Sequence, residues 1–164
     1  MILDMTNGKP SKILVSYAMP IILSGIFQQF YNIADTVIVG QTLGVKALAA
    51  VGATGSLVWF ASGAIQSLTT GFSAVTAQKF GAGDTEGVKK SFALSISLST
   101  IISVLMTVLC CAFTMPILKL MNTPSDIIDM SYAYLIWIFG GLCTTALYNL
   151  LSNMIRALGD SKTP

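Results

Sequence analysis

The sequence predicts an all-α integral membrane protein, and three observations predict it. Of 164 residues 54% are hydrophobic and only 10% charged, against about a quarter charged in soluble domains. The mean hydropathy is +0.76. The few charges also cluster between long apolar runs instead of decorating helix faces. A helix needs about 20 apolar residues to cross the hydrocarbon core, and four stretches reach that length.

The first span covers residues 13–39 and follows a short N-terminal segment, 1–12, that is expected to be cytoplasmic. Asp35 is the one charge between Ile13 and Val45. Pro10-Ser11 suits a helix start, and Pro20 removes a backbone hydrogen bond, so a bend is expected there. The run is too long for the apolar core of a cleaved signal, and another span follows it.

The second span, 47–78, is uncharged over 32 residues, 20 of them Gly, Ala, Ser or Thr. In lipid small residues matter because they let backbones approach closely. This span, with Gly52, Gly55, Gly63 and Gly71, is therefore expected inside the bundle. Its length exceeds the hydrocarbon core and calls for tilt, bending or protrusion. The third span, 91–118, has 28 uncharged residues. The fourth, 127–155, follows Pro124-Ser125-Asp126, a second helix-start signal, and is uncharged from Met130 to Ile155. The unit 13–164 is read as one partial transmembrane bundle.

Loop charges orient the spans. Lys9, Lys12, Lys79, Lys89, Lys90, Arg156 and Lys162 fall on the side of the N-terminus, and Lys46 and Lys119 on the other. Positive loops stay inside. The N-terminus, the 80–90 loop and the C-terminus are thus expected in the cytoplasm, and Asp35 in the outer half of the membrane.

Composition also excludes functions. A net charge of +2 offers no basic surface for nucleic acid, and the chain has no His, the commonest metal ligand and general base. Cys110, Cys111 and Cys143 lie within apolar runs and read as packing residues, not as a zinc site or disulfide framework. No nucleophile–base set or phosphate loop is present, and FGAGDTEGVKK reads as a solvated turn. No enzyme activity and no cofactor are expected.

The candidate site is polar and lies within the membrane. Gln28, Asn32 and Asp35 stand at i, i+4, i+7 on one face of the first helix, with Tyr31 at i−4 from Asp35. Thr145, Asn149 and Asn153 form a second stripe on the fourth span, and Gln66, Thr69, Thr70 and Ser73 add polar groups on the second. Lipid cannot satisfy such groups, so they should face one another or a cavity. Two readings of Asp35 stay open: an interfacial carboxylate hydrogen-bonded to Asn32 or Tyr31, or an ion- or proton-coupling group. No Lys or Arg lies in any span to neutralise it, which favours the second. For Asn149 and Asn153, inter-helix hydrogen bonding competes with cavity lining.

The segments QQFYNIADTVIVG, ALAAVGATG, GFSAVTAQKFGAGD, LMNTPSDI and YNLLSNMIRALGDSKTP resemble the MATE (multidrug and toxic compound extrusion) transporters, most strongly the bacterial DinF/MepA-like type. The likeness runs along essentially the whole chain. It implies a twelve-helix exporter of two six-helix lobes, exchanging drugs or organic cations for H+ or Na+ by alternating access in the cell membrane. It also implies that Asp35, within YNIADT, belongs to the N-lobe ion-coupling site. Gln28, Tyr31, Asn32, Asn149 and Asn153 are cavity-lining candidates by geometry. By this resemblance the chain holds four of the twelve helices, an N-terminal fragment whose partners are the remaining helices, small-molecule drugs and membrane lipids. Two alternatives stand beside it: a lipid-linked oligosaccharide flippase of the related superfamily, disfavoured by spans without basic residues, and a complete four-helix scaffold or self-associating transporter. An open frame continuing past Pro164 would eliminate the last.

Overall fold

The computed structural model describes residues 10–161 and 163. Five helices follow in order: α1 (Pro10–Thr42), α2 (Gly44–Gly81), α3 (Thr85–Leu120), α4 (Ile128–Gly140) and α5 (Leu142–Ala157). No strand occurs among the described residues. The first three helices contain the first three predicted spans and extend each by a few residues. The expected cytoplasmic segment 1–12 falls outside the described residues over 1–9, as does Lys162.

The fourth predicted span is the one that differs. It is broken into α4 and α5, bent by 43°. Gly140 and Gly141 sit at the break, and the Gly141 N–H is shared between the carbonyls of Trp137 (3.2 Å) and Ile138 (3.1 Å). Paired glycines are a recognised cause of sharp kinks, since neither contributes a side chain to stiffen the turn. Among the described residues two helices, α2 and α3, are each long and apolar enough to cross a membrane, and the bent α4–α5 pair reaches that length and hydropathy only when taken together, as a broken span or a re-entrant loop. α1, 33 residues long, carries Gln28, Gln29, Asn32 and Asp35 within an otherwise apolar length.

The turns close tightly for local reasons. At the end of α2, Gly83 N–H donates to Phe80 and Asp84 N–H to Lys79, both at 3.0 Å. This pattern needs a left-handed residue, and Gly83 supplies it at φ +72°. Asp84 then caps α3, its carboxylate accepting from the Gly87 N–H at 2.8 Å. Asn122 (φ 54°) ends α3 in the same way. At the opposite end of the bundle, Lys46 meets Asp126 at 3.6 Å and ties the α1–α2 turn to the α3–α4 turn.

α2 touches every other helix, as its small residues predict. The face that packs carries Ala50, Thr54, Ala61, Ile65, Thr69, Ser73 and Thr76. The glycines do not make the close approach expected of them. A Cβ at Gly52, Gly55, Gly63 or Gly71 would meet nothing within 4 Å, because helical periodicity turns them off the packed face. The core joins Ala61 and Ile65 of α2 to Leu118 of α3, Leu135 and Phe139 of α4, and Leu142 and Ala146 of α5.

Several buried hydroxyls bond carbonyls of their own helix. Thr54 donates to the Val51 carbonyl (2.9 Å), Ser95 to Ser91 (2.7 Å), Ser103 to Thr100 (3.0 Å) and Thr114 to Cys110 (2.6 Å). Such back-bonding lets a hydroxyl sit in an apolar interior without an unmet donor.

Candidate functional site

α1 holds the polar stripe and packs sparsely. Its backbone approaches only α2 among the described helices, closest where Gly40 faces the Leu48 side chain. Among the described residues one hydrogen bond ties it across the bundle: the Tyr17 hydroxyl donates to the Arg156 carbonyl at 2.9 Å. From Ile22 to Ile38 every residue is exposed. Asp35, Gln28, Asn32 and Tyr31, the last 71% exposed, therefore share an open helix face, not a closed pocket.

The carboxylate is not capped by its neighbours. The Asn32 amide donates to Gln29 Oε1 at 3.1 Å, and Thr36 Oγ1 donates to the Asn32 carbonyl at 2.8 Å. Asp35 has no hydrogen bond or ion pair with a described residue, so the interfacial reading, with a bond to Asn32 or Tyr31, has no such bond here. Tyr134 of α4 lies within electrostatic reach of the Asp35 charge.

The second stripe takes a different position. Asn153 is 8% exposed, and its Nδ2 donates to Thr69 Oγ1 at 3.2 Å and Thr70 Oγ1 at 3.4 Å. It ties α5 to α2. Asn149 is half-buried, one turn earlier, and Thr145 bonds the Gly141 carbonyl at 3.2 Å. The structure thus groups Asn153 with Thr69 and Thr70 in a helix interface and leaves Gln28, Tyr31, Asn32 and Asp35 together on α1.

Sequence reasoning missed Gln29, Tyr17 and Tyr134. The Gln29–Asn32 spacing of i, i+3 was a legible signal. The other two depend on contacts with distant segments and had none.

Long apolar helices, one of them exposed and carrying a polar stripe with an uncapped carboxylate, define a polytopic helical membrane protein. Comparison with known proteins narrows this. The MatE family model matches residues 20–164, and the chain belongs to that family of multi-pass membrane proteins. It is 31% identical over 161 residues to the "Probable multidrug resistance protein YpnP" of Bacillus subtilis, covering 98% of this chain and 36% of that protein. The "Probable multidrug resistance protein NorM" of Thermotoga maritima is 26% identical, covering 93% and 33%. Among solved structures, "Crystal structure of MATE in complex with MaD3S" aligns with a TM-score of 0.85 at 26% identity, over 94% of this chain and 34% of that one. Another neighbour at TM-score 0.85 and 26% identity, over the same shares, is titled as a MOP superfamily transporter from Pyrococcus furiosus with a binding pocket of reverse polarity. The chain spans about a third of the length of the curated relatives it matches.

Proposed function

We propose that this chain forms the first helices of a secondary active multidrug exporter, exchanging drugs or organic cations for H+ or Na+ by alternating access, with Asp35 as an ion-coupling carboxylate. The observation that carries this reading is the isolation of Asp35. It is the one acid in an otherwise uncharged run, it has no hydrogen bond with a described residue, and it lies on the helix with the fewest tertiary ties among the described residues. A carboxylate at membrane depth costs roughly 2.5 to 3.5 kcal/mol on insertion scales. A site that binds and releases a proton or cation gives that cost a use. Membership of the family, and the printed names of its relatives, support drug export as the cargo-moving activity.

The orientation belongs to the same proposal. The Tyr17–Arg156 bond places the start of α1 beside the end of α5, and the α2–α3 turn lies at that same end. Among the described residues this end carries Lys79, Lys89, Lys90 and Arg156, against Lys46 and Lys119 at the other. We assign it to the cytoplasm of a cell-membrane protein.

The test is drug efflux by the full-length protein with Asp35→Asn, under an imposed proton or sodium gradient. Gradient-driven efflux is expected to disappear while expression and membrane insertion are kept. Normal efflux in that variant would sink the role assigned to Asp35. Comparing the two gradients with the unaltered protein identifies the ion.

A further inference from the structure

At the end of the bundle assigned to the cytoplasm, α2 and α3 enclose a groove of about 520 Å3 that has two unlike halves. Its walls are the apolar side chains of Phe72, Val75, Leu94 and Leu98, and its mouth is edged by Lys79 and Lys90 with Asp84 and Glu86. The boundary between halves is sharp. Lys79 follows 32 uncharged residues of α2, and Lys90 precedes 28 uncharged residues of α3. The groove therefore straddles the level at which hydrocarbon gives way to headgroups.

Two lysines and two carboxylates edge the mouth, and Lys89 beside the groove takes up Glu86, so the neighbourhood keeps one unpaired lysine. Lys79 is paired with Asp84 at 3.4 Å and Lys89 with Glu86 at 3.0 Å. Lys90 has no acidic partner among the described residues, so three lysines against two carboxylates leave one positive charge. The floor makes no competing demand: Thr76 and Ser91 hydroxyls bond each other at 2.8 Å, and Ser95 bonds the Ser91 carbonyl at 2.7 Å. A volume within the usual range of small-molecule sites, about 300–1,000 Å3, takes a headgroup and part of one chain.

We propose that this groove holds one monoanionic phospholipid of the cytoplasmic leaflet. Its phosphodiester sits at Lys90, and an acyl chain lies along Val75, Leu94 and Leu98. One surplus cation matches one phosphodiester, and basic pockets between helices on the cytoplasmic side are a known device for lipid headgroups. The apolar walls distinguish the occupant from free phosphate. The site is independent of Asp35 and of drug transport.

The experiment is native mass spectrometry on the full-length protein, delipidated in detergent and incubated with phosphatidylglycerol or, separately, with phosphatidylcholine. One retained phosphatidylglycerol per chain is expected, with phosphatidylcholine retained less. Lys90→Gln should lower retention about fivefold, the loss of one lysine near an anionic headgroup, and Lys90→Arg should keep it. Leu94→Asp, which puts a like charge in the chain half, should lower it as well, and Asp35→Asn should leave it unchanged. Gel filtration confirms that each variant is folded. Equal retention of the two lipids, or wild-type retention in both Lys90→Gln and Leu94→Asp, would overturn the proposal. So would displacement of the lipid by millimolar inorganic phosphate, which would mark an anion site without lipid recognition.

Discussion

α1 and the α2–α5 bundle solve the same problem in opposite ways. Both carry polar side chains in apolar surroundings. In the bundle Thr54, Ser95, Ser103 and Thr114 bond their own helix, while Ser131 reaches the Ala50 carbonyl and Asn153 reaches Thr69 and Thr70 on a partner helix. On α1 the amides bond only their own helix, and the carboxylate bonds nothing described. The difference teaches where change is cheap. A satisfied interior has one arrangement, whereas an element held by one neighbour and one hydrogen bond can shift without breaking a core. Moving elements are drawn from the low-stability end of a structure.

The sharpest way to break this contrast is truncation of a core residue. Leu135 is fully buried in the four-helix core, and Leu135→Ala should cost about 2–5 kcal/mol in detergent unfolding. Ile26→Ala on the exposed length of α1 should stay within about 0.5 kcal/mol. Equal costs at the two positions would show that α1 is packed as tightly as the bundle.

A smaller effect separates the two amides. Asn153→Ala removes the α5–α2 bonds and should destabilise by about 0.6–1.7 kcal/mol, the span measured for such bonds in membrane proteins. Asn32→Ala removes only a bond to Gln29 and should leave unfolding unchanged. The informative result would be a large effect at Asn32, which would assign it a partner on another helix.

Tyr17→Phe deletes the hydrogen bond that joins α1 to α5 among the described residues. A loss of about 0.5–1.5 kcal/mol is expected. Hydrogen exchange should place it in α1, with faster exchange there and none of it in α3. Uniform acceleration along the chain would mean that α1 and the bundle open as one unit.

The smallest effect is at the α2–α3 turn. The Gly87 N–H bond holds the Asp84 carboxyl below its usual range against the opposing effect of burial, with further help from Lys79. A carboxyl with a depressed folded value adds stability that is complete above its unfolded value, near 4. That stability fades as pH falls through the lower folded one. The cap should therefore hold at neutral pH and loosen only in acid, seen as a shift of the Gly87 amide resonance below pH 4. Gly87→Ala should loosen it at neutral pH, because a Cβ there collides with the Asp84 carboxylate. An amide that already titrates near neutrality would contradict this cap.

Much of this was legible before any coordinates. Runs of uncharged residues marked the first three spans, and Pro124-Ser125-Asp126 marked the turn ahead of α4. The break at Gly140–Gly141 does not show in the sequence, because a membrane span is marked by hydropathy over about 20 residues and two glycines barely alter that mean. The glycines of α2 misled for a related reason. Their smallness permits close packing but does not say which face another helix will meet, and here that face carries Ala, Ser and Thr.

The site divides along the same line. Spacing alone put Gln28, Asn32 and Asp35 on one face, since helical periodicity is a local property of the chain. It could not separate Asn153 from them, because an amide in a membrane helix reads alike whether it meets a threonine or a cavity. By itself the sequence determined the membrane class, three of the helices and the charged end, all of which follow from how residues partition between lipid and water. The tertiary structure decided that α1 stands apart, that Asn153 joins the core, and that Tyr17 reaches Arg156. The last two depend on groups more than 80 positions apart, a tyrosine hydroxyl with a main-chain carbonyl and an amide with a threonine hydroxyl, coming to share a hydrogen bond.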